Sequence, residues 1–326
     1  MDEKTLEKAL AVSAAIRREI GRLIIGQEPV VEEMLTAFVA GGHVLFEGVP
    51  GLAKTLVVRC LAASLELSYS RIQFTPDLMP ADIVGTDIIT EDDGKRQFTY
   101  SPGPIFSNVV LADEINRATP KTQSALLEAM EERTVTVGKT TYSLEEPFIV
   151  LATQNPIEME GTYPLPEAQV DRFLLKASVG FPSLDELVDI AERNTEKDGL
   201  RLPDPVATGE EILAARSVVR EFPIAEELRR YVGRLVLATH PRNADAAPKV
   251  TQFVEYGASP RAAIALILGA KAHAFLAGEA NVRLADIEAV FRPALVHRVI
   301  LNFKGEAEGI EVSDLLAEVW KQTAVI

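Results

Sequence analysis

The stretch Gly48-Val49-Pro50-Gly51-Leu52-Ala53-Lys54-Thr55 constrains this chain more than any other. It follows a short apolar run, Val44-Leu45-Phe46, and leads directly into a helical pattern over 55–65. A run that is apolar at every position suits a strand of a parallel sheet, which helices cover on both faces. Strand, glycine-containing loop and helix in that order form the context that a phosphate-binding loop requires. Backbone N–H groups at the start of the helix then point at anionic oxygens. Lys54 supplies a point charge for β and γ phosphates, and the Thr55 hydroxyl can ligate Mg²⁺. Ala53 stands where such loops carry a last glycine. That position already begins the helix, so a methyl group fits, while Gly51 after Pro50 keeps the freedom for a positive φ.

Similar apolar runs recur over 71–74, 109–112, 148–152 and 173–179, with helical stretches between them, including 120–133. Strands that alternate with helices predict an α/β fold with a parallel P-loop sheet sandwiched by helices. Upstream, Leu6, Leu10, Ile16 and Ile20 mark a helix that breaks at Gly21, and a second helix begins at Pro29. After Phe181-Pro182 the strand signals stop. Residues 198–207, with Gly199, Pro203 and Pro205, read as connecting chain, and helical patterns follow over 209–222, 225–239, 260–277, 284–300 and 312–323. The expected organisation is an α/β domain over 1–182, a linker over 183–207 and a smaller all-α lid over 208–326. A length of 326 residues favours two domains with cores of their own.

Two hairpins interrupt the α/β alternation, as inserts over about 83–106 and 134–146. In the first, 87–90 and 96–100 flank Asp93-Gly94; in the second, 134–137 and 141–144 flank Gly138-Lys139. Neither is needed to complete a buried sheet. Each is either a decorative surface hairpin or a contact for something else.

Composition narrows the function classes. Lys plus Arg is 33 against 48 for Asp plus Glu, a formal charge of −15 that opposes general coating of nucleic acid. The start, Met1-Asp2-Glu3-Lys4, lacks a secretory leader pattern, and the longest apolar runs are about half of the ~20 residues of a membrane span. A cytoplasmic protein without a membrane span is expected. The single Cys60 reads as a small buried hydrophobe, and His43, His240, His273, His297 and Trp320 read as structural residues.

Asp113-Glu114 closes the apolar run 109–112, where strand ends open into a ligand crevice. Beside a phosphate loop, Asp113 would hold Mg²⁺ through water and Glu114 would polarise the water that attacks a γ-phosphate. A third strand ends in Thr153-Gln154-Asn155. Asn155 either orients that water or simply forms a turn before Pro156. Arg172, in Asp171-Arg172-Phe173, and Arg261, in Ser259-Pro260-Arg261, are either surface cations or mobile positive charge for a γ-phosphate. Ser259 and Pro260 have the pattern of an N-cap and first-turn proline for a lid helix.

Together these residues resemble the AAA+ ATPases, and within them the MoxR family, over nearly the whole chain. The most specific stretches are Gly48 to Thr55 with Ala before Lys, Thr75-Pro76-Asp77-Leu78-Met79-Pro80-Ala81-Asp82-Ile83-Val84-Gly85, Leu111-Ala112-Asp113-Glu114-Ile115-Asn116-Arg117-Ala118, Gly161-Thr162-Tyr163-Pro164-Leu165-Pro166-Glu167-Ala168-Gln169-Val170-Asp171-Arg172-Phe173, and Gly257-Ala258-Ser259-Pro260-Arg261-Ala262. The resemblance implies Mg²⁺-dependent hydrolysis of ATP to ADP and phosphate. It makes Glu114, Lys54, Asn155, Arg172 and Arg261 catalytic, with Asn155 the first sensor, Arg172 an arginine finger offered to a neighbouring subunit, and Arg261 the second sensor. It assigns nucleotide contacts to Ile25, Gly26 and Gln27 at the adenine, to Gly48, Val49, Pro50, Gly51, Leu52, Ala53, Lys54, Thr55 and Leu56 around the phosphates, and to Arg261. It places the metal at Thr55 and Asp113. It also implies a homo-oligomeric ring, usually a hexamer, that remodels protein partners, often ones with a von Willebrand factor A domain, and hairpins that face the pore or the partner. A DNA motor and the ATPase subunit of a metal chelatase are the competing expectations. Only Lys95, Arg96 and Lys139 near the hairpin turns favour the first, and the chelatase shares the insert-bearing architecture.

Overall fold

The computed structural model describes residues 3–49, 51–52, 54–92, 95–155, 161–195 and 201–324. Pro50, Ala53, the turn Asp93-Gly94 and Pro156 lie outside them. Two helices, α1 (Glu3–Gly21) and α2 (Glu28–Ala40), precede β1 (Val44–Glu47), and α3 (Lys54–Ala63) and β2 (Tyr69–Gln73) follow it. A short α4 (Pro80–Val84) leads to the first hairpin, β3 (Gly85–Asp92) and β4 (Lys95–Pro102). Then come β5 (Val109–Asp113), α5 (Pro120–Glu132), the second hairpin β6 (Thr134–Val137) and β7 (Thr140–Ser143), β8 (Ile149–Gln154), a turn of helix α6 (Glu167–Val170) and β9 (Leu175–Ser178).

The sheet has five parallel strands in the order β2-β5-β8-β1-β9. Alternate side chains of the central strands enter different cores, as the two-residue period requires. Val44, Phe46, Val109, Leu111, Ile149 and Leu151 join the face packed by α1, α2 and α3. Leu45, Val110, Ala112, Val150 and Ala152 join the face packed by α5. Burial on both faces explains why the sequence shows these strands as unbroken apolar runs.

Both hairpins are separate two-stranded sheets, as their turn chemistry predicts. They touch each other through stacked rings of Tyr100 and Tyr142, with centroids 4.2 Å apart. The base of the first hairpin depends on Gly85, at φ +95°, where a Cβ would lie 2.3 Å from the Ser101 carbonyl oxygen. That backbone contact is a physical reason for the glycine that ends the Thr75 to Gly85 motif.

Past β9 the structure departs from expectation at three places. Residues read as linker contain a helix, α7 (Leu184–Thr195), whose Leu184, Leu187 and Val188 recur at helical spacing. The helical region, α8 (Gly209–Glu221), α9 (Glu226–Ala238), α10 (Pro248–Phe253), α11 (Pro260–Leu276), α12 (Leu284–Leu295), α13 (Phe303–Ala307) and α14 (Val312–Gln322), also carries a small antiparallel pair, β10 (Val254–Tyr256) with β11 (Ile300–Leu301). Strands of two or three residues are too short to show a period. Finally, the apolar residues of the lid, such as Leu235, Leu266, Phe275 and Leu316, belong to one continuous buried cluster with the α1 to α3 face of the sheet. The lid therefore shares its core with the α/β domain.

Candidate nucleotide site

The C-terminal ends of β1, β5 and β8 open onto a cavity of about 470 Å³ lined by Lys54, Thr55, Asp113, Glu114 and Asn155 among others. Residues as far apart in sequence as Lys54 and Asn155 are brought together because their three strands are neighbours in the sheet. Gly51, Leu52 and Leu56 line the same cavity, and Gly51 takes the positive φ, +86°, expected of it. Gly48 and Val49 connect β1 to this loop, and Gly48 packs so closely that a Cβ would lie 2.7 Å from the Val179 carbonyl oxygen. Pro50 and Ala53, expected around the phosphates, lie outside the described residues.

Lys54 Nζ donates to the Gly48 carbonyl at 2.6 Å, so the ammonium is folded over the loop. Its burial lowers its pKa, against the raising influence of Asp113, Glu114 and Glu47. Asp113 Oδ1 accepts from Thr153 Oγ1 at 2.6 Å. Thr153 Oγ1 also accepts the Glu114 backbone N–H at 2.8 Å, and Glu114 is held in the left-handed region at φ 55°. A non-glycine residue in that region carries a conformational cost, which a site with a demanding geometry sustains. The Glu114 carboxylate accepts from Gln73 Nε2 at 2.9 Å and from Arg117 Nη1 at 3.0 Å. Asn155 is buried at 5% exposure just beyond β8.

This donor set fits a nucleotide with Mg²⁺. Lys54 and Arg59 offer positive charge to phosphates, while the Asp113 carboxylate and the Thr55 hydroxyl line the same cavity. Among the described residues no cluster of three His, Cys, Asp or Glu could cage a metal. Mg²⁺ bound by one or two protein groups and the substrate phosphates needs no such cage.

Two of the expected site residues are elsewhere. Arg172 and Arg261 line a different cavity, of about 230 Å³, at the junction of α5, β9 and the lid. Arg172 Nε lies 2.9 Å from Glu131 Oε2, and its Nη1 donates to the Leu127 carbonyl at 2.7 Å. Arg261 Nη2 reaches Glu131 Oε1 at 2.5 Å. The lid holds Arg261 beside Arg172, not beside Lys54. Ser259 does cap its helix, accepting from the Arg261 N–H at 3.2 Å. What sets the lid is Asp171, whose carboxylate accepts from Arg298 Nε at 2.7 Å and from Ser259 Oγ at 2.8 Å.

Gly26 and Gln27, next to Ile25 in the chain, lie against residues 180–186 at the start of α7. Gln27 Nε2 donates to the Gly180 carbonyl at 2.9 Å, and a Cβ on Gly26 would lie 2.4 Å from Cδ of Glu186. Sequence reasoning missed Thr153, Arg59, Arg71, Gln73 and Glu131. Thr153 stands next to a residue pair already singled out, but Arg71 and Gln73 meet the acidic pair across about forty residues, and no spacing signals that.

Comparison with known proteins agrees with this geometry. Residues 43–175 match the family model "ATPase family associated with various cellular activities (AAA)", and residues 247–319 match the AAA lid domain. The chain is 42% identical to Chaperone MoxR1 of Mycobacterium tuberculosis over 98% of this chain and 82% of that protein. It is 31% identical to Protein MoxR of Methylorubrum extorquens over 95% and 94% of the two chains. A Cytophaga hutchinsonii protein, provisionally named an ATPase, superposes with a TM-score of 0.90 at 41% identity, covering 98% of this chain and 97% of its own. With the phosphate loop, the acidic pair at the end of β5 and the helical lid all in place, the chain belongs to the MoxR family of AAA+ ATPases.

Proposed function

We propose that this protein hydrolyses Mg·ATP in the Lys54 cavity and that two subunits of a ring complete each site. The observation that carries the reading is the division of charges. Lys54, Asp113, Glu114 and Asn155 converge on one cavity, while Arg172 and Arg261 converge on Glu131 at another. Lys54 and the first turn of α3 bind the phosphates, and Thr55 with Asp113 would hold the metal. Bound Mg²⁺ supplies neutralisation of the charge that develops on the β and γ oxygens. Glu114 accepts a proton from the attacking water, and Asn155 orients that water. Arg172 and Arg261, which are remote from their own phosphate loop, serve the γ-phosphate of the neighbouring subunit. Ile25, Gly26 and Gln27 flank the adenine.

The work done with this hydrolysis is remodelling of a protein partner, a reading supported by a relative that is named a chaperone. The partner class proposed is a protein with a von Willebrand factor A domain, engaged by a hexameric ring. A purified ring should release phosphate from ATP with Mg²⁺ and stop when EDTA is added. Absence of Mg²⁺-dependent turnover in an assembled ring would refute the reading. Glu114→Gln, loaded with ATP, should retain its protein client in a pull-down that wild type releases.

A further inference from the structure

Helix α7 leaves an apolar stripe uncovered. Leu184, at 76% exposure, Leu187 and Val188 recur at helical spacing, and exposed Phe181 precedes them. The helix is fixed to the nucleotide domain by other residues: Glu186 packs on Gly26, and Arg193 Nη1 donates to the Arg22 carbonyl at 2.7 Å. The chain entering α7 also passes the phosphate loop, since Val179 packs on Gly48. The stripe therefore borders the nucleotide side of the subunit. A contiguous apolar patch of this kind marks a contact surface, as single exposed apolar residues do not.

A second apolar surface borders the arginine pair. Helix α11 buries Ala262, Ala265 and Leu266 and turns Ile264 outward, at 56% exposure. Ile264 lies three residues beyond Arg261, hence on the same helix face, and lines the cavity that holds Arg172. Tyr256 of β10 and Phe303, just after β11, are exposed as well, and the pairing of Tyr256 with Ile300 brings their strands together.

We propose that the two surfaces are the halves of one head-to-tail contact between copies of this chain, with the α7 stripe of one subunit packed on Ile264, Tyr256 and Phe303 of the next. The inference rests on the reading above that Arg172 and Arg261 serve a neighbour's phosphates. That reading sets the nucleotide side of one subunit against the arginine side of the next, and each side carries one of the patches. A contact between unlike surfaces can repeat around a ring, whereas stripe against stripe would join two nucleotide sides and leave both without an arginine. A chain with a formal charge of −15 repels its own copies, so assembly needs apolar area to offset that repulsion.

Two double variants separate the halves. Leu184→Ser/Val188→Ser spoils the stripe and keeps the lid patch, and Tyr256→Ser/Ile264→Ser does the reverse. All four side chains are exposed in the subunit, so the far-UV spectrum of each variant should match that of wild type. In sedimentation with ADP and Mg²⁺, each variant alone should need at least about ten-fold more protein than wild type for half-maximal assembly, as loss of buried apolar side chains requires. Mixed at high concentration, the two can form one intact contact and no ring, so a 1:1 dimer should appear. Either variant assembling alone as wild type does, or a mixture that stays monomeric, would overturn the proposal. The dimer also tests the reading beneath it. It joins the arginine side of the Leu184→Ser/Val188→Ser subunit to the nucleotide side of the other, so Arg172→Ala should abolish phosphate release only when placed in the former. A dimer whose turnover ignores that placement would overturn the arginine reading and leave the contact standing.

Discussion

Arg172 and Glu131 form an ion pair, Nε to Oε2 at 2.9 Å, on the side of the molecule where β9 meets α5 and the lid. The other oxygen of the same carboxylate is taken by Arg261. Two guanidinium groups from different parts of the chain, which would repel each other if left alone, are held together by one carboxylate. A positive pair assembled away from its own phosphate loop is what the proposed use at another subunit's phosphates requires.

Lys54 and Glu114 line one cavity but do different work. Lys54→Ala removes the compact cation of the phosphate loop, so ATP binding should fall below detection. Glu114→Gln preserves shape and loses basicity, so affinity should stay within a few-fold while turnover falls by about 10²–10⁴. Calorimetry for binding and phosphate release for turnover separate the two, and equal loss of binding in both variants would contradict this division.

Asp171 pins the lid through a side chain that is nearly inaccessible. Arg298 is 3% exposed, and besides the Asp171 carboxylate it donates to the backbone carbonyl oxygens of Asp171 and Phe173 at 3.0 and 2.6 Å. Asp171→Ala leaves a buried guanidinium without its counter-charge, which should cost about 3 kcal/mol in urea unfolding. A loss under about 0.5 kcal/mol would mean that the carbonyl oxygens alone hold Arg298.

Burial raises the Glu33 carboxyl from 4.5 to about 7, with Arg292 opposing the shift. A folded pKa above the unfolded one contributes stability in acid, and this is lost as pH rises from about 4.5 through about 7. Glu33→Gln should therefore be more stable than wild type at pH 8, by at most about 3 kcal/mol, with the difference shrinking toward pH 4.5. Buried His43 and half-buried His297, both with pKa values held well below the usual 6.5 chiefly by desolvation, act in the opposite sense at acid pH. They are common to both proteins, so the difference between the two unfolding curves isolates Glu33.

Tyr142 of the second hairpin stacks on Tyr100 of the first, and the second hairpin joins α5 to β8, the strand that leads to Asn155. A change at its exposed turn, Lys139→Glu, should leave basal hydrolysis within a few-fold and weaken stimulation by a protein partner. Hydrolysis measured with and without DNA checks the competing expectation. Strong, salt-sensitive stimulation by DNA that disappears in Lys139→Glu would favour the motor reading over protein remodelling.

The phosphate loop, the acidic pair and both hairpins were legible because local chemistry specifies each of them. Gly51 needs a positive φ, Asp113-Glu114 ends a run buried on both faces, and turn residues separate the paired strands. The helix α7 was legible and missed, since Leu184, Leu187 and Val188 lie at helical spacing and the Pro and Gly content of the following segment obscured them. The position of Arg261 was not legible. It follows from how the lid docks, and that is fixed by Asp171 and Arg298, which are 127 positions apart. The Arg71 contact with Asp113 depends likewise on the register of β2 with β5, in which Gln73 lies opposite Asp113.

The claim that subunits complete each other's sites is tested most directly by mixing two inactive proteins. Arg172→Ala should lose turnover by roughly 10³–10⁵ while keeping its ATP affinity, as an arginine finger does. Lys54→Ala should lose turnover because it cannot bind ATP. In a mixed ring, a Lys54→Ala subunit can present its intact Arg172 to the intact phosphate loop of an Arg172→Ala neighbour. The account predicts that phosphate release reappears on mixing and peaks at an intermediate ratio; mixed rings proven to contain both variants, yet as inactive as either alone, would contradict it.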